Sequence, residues 1–313
     1  MRISIKHLYN KYKWIILRKK RDFISCCSNF RNDIVLLSQI KQVKIINSWI
    51  DIRKGEICNR NLGDDLNYYI LKETASFPFR FKSCTFLSKI IKDNYLCIGS
   101  IISHGNKNSI VWGAGCISQN SHIPALKKVY AVRGPKTREL LMQAGISCPE
   151  NYGDPALLLP LIYNPHTTSS NKIGVILNAA DEQSEILDIF KNNDSYTFIS
   201  MTHYSDWREV VLKITQCRLV LSSSLHGLII SDAYNIPNIW VSIDNCKNII
   251  GGNFKYLDYF ESVKRHQKEP VELSEILHND INDYTNLIEK PQIDLKPIIE
   301  NCPFKINFTA QNS

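Results

Sequence analysis

The hydrophobic positions of this chain fall in short continuous runs, separated by amphipathic stretches. VKIINSWI, NYLCIGSII, SIVWGAGCI and KKVYAVRG are of strand length, and VKIINSWI is rich in β-branched residues. DDLNYYILKET and PKTRELLMQAGI predict helices. In the second, Pro135 suits the first helical position and Gly145 the C-terminal cap. The alternation breaks at YNPHTTSSNK, residues 163–172, which reads as a polar linker. It restarts with strands at KIGVILN, SYTFISM, RLVLSSS and PNIWVSI, and with helices at DEQSEILDIFKNN, SDWREVVLKITQC and LHGLIISDAYN. Ser205 is the expected cap of the SDWREV helix, in an imperfect capping box with Arg208 where Glu is usual.

Strand–helix alternation implies parallel sheets covered by helices. The expected fold is therefore α/β, with two Rossmann-like domains at residues 45–165 and 172–270. A basic segment (1–44) precedes them and a helical tail (271–313) follows.

Composition keeps the chain in the soluble globular class, with 44% hydrophobic and 22% charged residues. No apolar run approaches the roughly 18 to 20 residues that span a bilayer. The N-terminus has only WIIL as an apolar stretch and no small-residue cleavage site, unlike a signal peptide. None of the ten cysteines forms a CxxC pair, which points to reduced thiols in a cytoplasmic protein. Charge is uneven. Residues 1–54 hold thirteen Lys and Arg against three Asp and Glu, a net of +10, while the remaining 259 hold 25 and 27, a net of −2.

In open α/β sheets, ligands bind beyond the carboxyl ends of the strands. The conspicuous polar motifs sit at such ends or at helix starts: NLGDDL, WGAG, RGP and SSSLHG. Ser223, Ser224 and His226 lie where a helix N-terminus offers free N–H groups and partial positive charge. His226 has the intrinsic pKa of a general acid or base, although a histidine satisfied within a helix terminus is the plainer reading. Arg133 ends a strand and could clamp an anion, or pair on the surface with Glu139. Asp64 and Asp65 could serve as catalytic bases or merely cap a helix. Asp154 divides the same way, inside a Gly–Asp–Pro turn. Gly113 and Gly115 permit close backbone approach to a ligand or to a facing domain. Lys255 is a further candidate cation. No GxSxG, HExxH, zinc-spaced cysteines, GxxxxGK[ST] or complete dinucleotide fingerprint is present, so no bound metal is expected. Basic and aromatic residues lack the interleaving of a nucleic-acid module.

Taken in order, NLGDDL, VWGAG, VRGPKTRELL, YGDPALLLP, SSSLHGLIISDAYNIPNIWV and NFKYLDYF resemble the motifs of the polysaccharide pyruvyl transferase family, over roughly residues 45–262. The resemblance implies a two-domain arrangement similar to GT-B glycosyltransferases. It also implies transfer of a pyruvyl group from phosphoenolpyruvate to a sugar as a ketal, with no cofactor. The acceptor it implies belongs to a bacterial cell-surface polysaccharide or its lipid-linked precursor. Many members carry arginine two residues before the histidine. Here that position is Ser224, as in a succinoglycan-type subgroup, so another cation must meet the donor phosphate. Lys255, in the later motif, could replace it.

Two other readings remain open at this level: a GT-B-like glycosyltransferase using a nucleotide sugar, and a non-catalytic sugar-binding protein of a polysaccharide locus. The N-terminal YKWIILRKKR sets Trp14, Ile15, Ile16 and Leu17 beside Lys13 and a basic run from Arg18 to Arg21. That is the composition of a segment lying on an anionic membrane surface through residues 1–21, at the inner membrane, and equally of a helix packed on the protein with its lysines in water.

Overall fold

The computed structural model describes residues 5–243 and 250–308. Residues 1–4 of the basic segment and 309–313 of the tail lie outside them.

The chain opens with one long helix, α1 (Ile5–Leu36). Most of the basic segment is therefore helical. Its C-terminal half docks through buried polar side chains. Asn29 donates to the carbonyls of Ile52 (2.7 Å) and Cys84 (3.1 Å), and Asp33 accepts from Thr85 Oγ1 (2.7 Å) and the Phe86 amide (3.1 Å).

Two all-parallel five-stranded sheets follow. The first takes β1 (Lys44–Ile46), then, after the hairpin β2 (Asp51–Arg53) and β3 (Glu56–Cys58) and helix α2 (Leu62–Thr74), β4 (Phe79–Phe81), β5 (Asn94–Leu96), β6 (Ser109–Trp112) and β7 (Lys128–Ala131). Its order is β4-β1-β5-β6-β7. Helix α3 (Pro135–Gln143) follows, with Pro135 in its first turn and Gly145 at φ +76° beyond its end. Residues 163–172, between the two sheets, carry neither helix nor strand.

The second sheet, of order β12-β11-β10-β8-β9, takes β8 (Ile173–Ile176), β9 (Tyr196–Phe198), β10 (Leu219–Ser222), β11 (Asn238–Ser242) and β12 (Val271–Glu272). Helices α4 (Ile186–Lys191), α5 (Trp207–Thr215), α6 (Leu225–Ala233) and α7 (Phe254–Ser262) alternate with these strands. Strands β8, β10 and β11 are buried at every position. Unbroken apolar runs are what strands covered on both faces require.

Two local expectations change. The cap of α5 is Asp206, whose carboxylate accepts from the Arg208 amide at 3.0 Å, while Ser205 reaches Glu209 instead. Asp206 is the residue directly before the helix, and its extended backbone lets the carboxylate reach the amide two residues on. The tail also begins with a strand, since Val271 and Glu272 pair with Val241 and Ser242. After α8 (Leu273–His278) and α9 (Lys296–Glu300) the chain returns to the first sheet. There Trp112 Nε1 donates to the Ile298 carbonyl at 2.8 Å, Phe304 packs on Tyr95 and Trp112, and Ile306 bridges Ala75.

The two halves meet along a seam of specific contacts. The Leu62 amide donates to the Met201 carbonyl (2.8 Å), Arg208 pairs with Glu73 (2.7 Å), and Trp207 stacks on Tyr69. At its centre, α7 lies against α3. The helix start at Gly134 has no capping side chain of its own, and Asp258 of α7 supplies one. Its Oδ1 accepts from the Thr137 amide (2.8 Å), and its Oδ2 from Thr137 Oγ1 (2.7 Å) and Arg133 Nε (3.0 Å). Gly134 must be glycine, because a Cβ would come within 1.8 Å of the Asp258 carbonyl oxygen. Both Arg133 and Asp258 are 0% exposed.

Removing one partner of a buried, hydrogen-bonded ion pair strands the other charge, which costs about 3–5 kcal/mol. Asp258→Ala is therefore expected to lower unfolding stability by about that amount, measured by urea denaturation. A loss under about 1 kcal/mol, the scale of an exposed pair, would show that the carboxylate does not hold the seam.

Candidate active site

A cavity of about 330 Å³ lies between the two sheets, at the small end of the roughly 300–1,000 Å³ of ligand pockets. Its walls come from segments that follow strands: Trp49 after β1, Gly99–Ile101 after β5, Asn178–Ala180 after β8, Met201 after β9, and Ser224–His226 after β10. Asn61 and Asp64 enter from the start of α2, and Lys255 from the first turn of α7.

His226 stands in the first turn of α6 with its side chain 15% exposed. It crosses the seam to pack on Gly63, where an added Cβ would fall 2.2 Å from its Nδ1. Its Nε2 faces Asp154 Oδ2 at 3.7 Å, and both atoms are buried with no hydrogen-bond partner among the described residues. The other oxygen of Asp154 caps the turn at Pro155–Leu161, accepting from the Ala156 amide at 2.9 Å. Asp154 thus stands behind His226 rather than in the open cavity.

The two carboxylates of NLGDDL part company. Asp64 faces the cavity, and burial raises its pKa to about 6 despite the opposing charges of His226 and Lys255. Asp65 turns away. Its Oδ2 accepts from the Asn61 amide (2.9 Å) and from the hydroxyl of Tyr204 (2.5 Å) across the seam. Burial raises its pKa further, to about 7.

The serines divide similarly. Ser223 is fully buried, its hydroxyl accepting from the Asn178 amide at 2.9 Å. Only Ser224 reaches the cavity, as the cap of α6. Arg133 does not reach it. The guanidinium is enclosed by Asp258, the Cys116 carbonyl and Ser100, and touches the cavity wall only through its 2.7 Å bond to Ser100 Oγ. Gly113 and Gly115 are explained by packing. A Cβ would strike Pro155 at 2.2 Å and the Arg133 guanidinium at 2.4 Å respectively. Trp49, Asn61, Ser100 and Asn178 are wall residues that the sequence reading passed over. The carboxyl-end rule, applied strand by strand, marks all but Asn61.

The chain matches the polysaccharide pyruvyl transferase description over residues 5–245. It belongs to that family. It is also similar to an uncharacterized protein of Acanthamoeba polyphaga mimivirus, 24% identical over 242 residues, covering 75% of this chain and 82% of the relative. Family membership makes the chain a transferase of polysaccharide biosynthesis, with a pyruvyl donor and a polysaccharide acceptor as its general substrates. Among the described residues, no helix is long and apolar enough to cross a membrane.

The raised pKa of Asp65 has a definite sign. Below about pH 4 the carboxyl is neutral folded and unfolded, and its burial costs little. As pH rises from about 4 to about 7, the unfolded chain gives up this proton while the dry site keeps it, and stability is lost until the folded group ionises near 7. Asp65→Asn should therefore show a smaller fall in Tm between pH 5 and pH 8 than the parent chain. Parallel Tm–pH curves from circular dichroism would refute this.

Proposed function

We propose that this chain moves the pyruvyl unit of phosphoenolpyruvate onto two hydroxyls of one sugar, closing a ketal. The acceptor is a bacterial cell-surface polysaccharide or its lipid-linked precursor, and the cleft is a GT-B-like one between two Rossmann-like domains. The observation that carries the reading is the gathering of Asp64, Ser224, His226 and Lys255 on one cavity, with Asp154 behind the histidine.

Phosphoenolpyruvate brings about three negative charges. Lys255, Ser224 and the N–H groups of the first turn of α6 receive them. Protonated His226 donates to C3 as the first sugar hydroxyl adds to C2 and gives its proton to Asp64. Phosphate then leaves C2, taking the proton held by Asp64. The second hydroxyl closes the ring and returns its proton to His226. Both groups end as they began. With Nε2 turned to Asp154, proton exchange falls to Nδ1, the edge beside Gly63. Asp154, 3.7 Å from Nε2, stabilises the imidazolium by its charge. An Asp64 pKa of about 6 suits a group that must both take and give a proton near neutrality.

His226→Ala should lower phosphate release by about 10²–10⁴-fold while leaving the fold intact. Near-parental turnover would remove His226 from the chemistry. Phosphoenolpyruvate should raise Tm where a panel of nucleotide sugars does not. The reverse would favour a glycosyltransferase.

The placement of α1 supports attachment to an anionic membrane surface. Ile16 and Leu17 are 65% and 56% exposed, beside exposed Lys13, Lys19 and Lys20. Each such cation near an anionic leaflet contributes about 1 kcal/mol. The chain should co-sediment with phosphatidylserine-containing vesicles at low salt and be released as salt rises. Protein left in the supernatant at low salt would exclude attachment.

A further inference from the structure

A second cavity, of about 500 Å³, lies between α1 and the segments that follow β1 and β4. Arg18, Lys19, Lys82 and Lys89 line it, and Asp22 is the single carboxylate among its lining residues. That carboxylate is shared. It stands 3.9 Å from Arg18 but 3.2 Å from Arg21. Among the described residues, no carboxylate lies within ion-pair distance of Lys19, Lys82 or Lys89. Burial, then the like charges of Arg18 and Lys89, lowers the pKa of Lys82. Ser48 adds a buried hydroxyl with no partner among the described residues. Four cations crowded in a partly buried place with one shared carboxylate are a site suited to an anion.

Its position says what the anion belongs to. The cavity adjoins the transfer cleft through two rings. His104 lines the cavity, Trp49 lines the cleft, and their centroids are 4.7 Å apart. Arg18 lies over Trp49 at 4.2 Å. A ligand with its sugar in the cleft would therefore place the group attached to that sugar beside Arg18 and Lys82. We propose that this cavity binds the phosphate or diphosphate ester that carries the acceptor sugar. The inference rests on the transfer reading and deepens it. The acceptor arrives as a phosphate-linked sugar, and the cavity fixes its register against Asp64 and His226. Lipid carriers and nucleotides both supply this chemistry.

Inorganic pyrophosphate, titrated calorimetrically into the full chain, is the direct probe. It should bind the parent chain and lose about tenfold in affinity in Lys82→Gln/Lys89→Gln, as expected when charge-assisted contacts are removed. Phosphoenolpyruvate affinity should change less than about twofold, since its ligands lie in the other cavity. The exposed Lys89→Gln alone, which leaves the fold undisturbed, should already weaken pyrophosphate binding. No binding to the parent chain, unchanged affinity in the double variant, or loss in Lys255→Ala instead would each overturn the proposal. In competition, displacement by geranyl diphosphate assigns the ester to a lipid, displacement by uridine diphosphate to a nucleotide, and displacement by both to the shared diphosphate. Displacement by neither overturns the phosphate-ester assignment. The transfer reading fails by a different observation, the absence of phosphate release from phosphoenolpyruvate.

Discussion

A carboxylate with no water around it must spend all of its acceptor capacity on protein donors. Asp258 does this across the seam, capping α3 and holding Arg133 at once. The consequences run outward. Arg133 is fixed, so Ser100 is fixed on the cavity wall. The helix that carries Asp258 also carries Lys255, so the cation of the cleft is set by the same helix. Its Tyr256 stacks on Trp240 and donates to the Ser223 carbonyl at 2.6 Å, which ties the start of α6 to the same helix. One buried charge pair thereby aligns groups from both sheets.

Much of the architecture was legible because it rests on local rules. Continuous apolar runs marked the buried strands, and the polar stretch at 163–172 marked the break between sheets. The small departures have equally local causes. Asp206 displaces Ser205 as a cap through geometry one residue wide. The pair at β12 is only two residues long, too short for a periodicity to register. The sequence left packing of α1 on the protein as one of two open readings, because the face that docks is polar. Ser25, Asn29 and Asp33 carry no hydrophobic signal.

The motifs of the sequence divide between the cavity and the seam. Motif order drew attention to His226, Asp64, Ser224 and Lys255, and the cavity gathers all four. Sequence cannot say which way a side chain turns when two neighbours of one type stand together. Asp64 and Asp65 are consecutive on a helix and point to different surroundings, as do Ser223 and Ser224 at a strand end. The case of Arg133 is sharper. An arginine at a strand end reads as a ligand clamp, yet its partner Asp258 lies far along the chain and absorbs its charge. Part of that family motif maintains the joint between the halves.

The contact of His226 with Gly63 ties the cavity to the seam. A histidine from one half is seated on the backbone of the other, and Asp64 stands next to that seat. The nearness of the ring to the carboxylate therefore exists only while the two halves are joined. Whatever loosens the seam disturbs this part of the cavity wall along with the fold, so the cavity and the joint between the sheets are one structural feature.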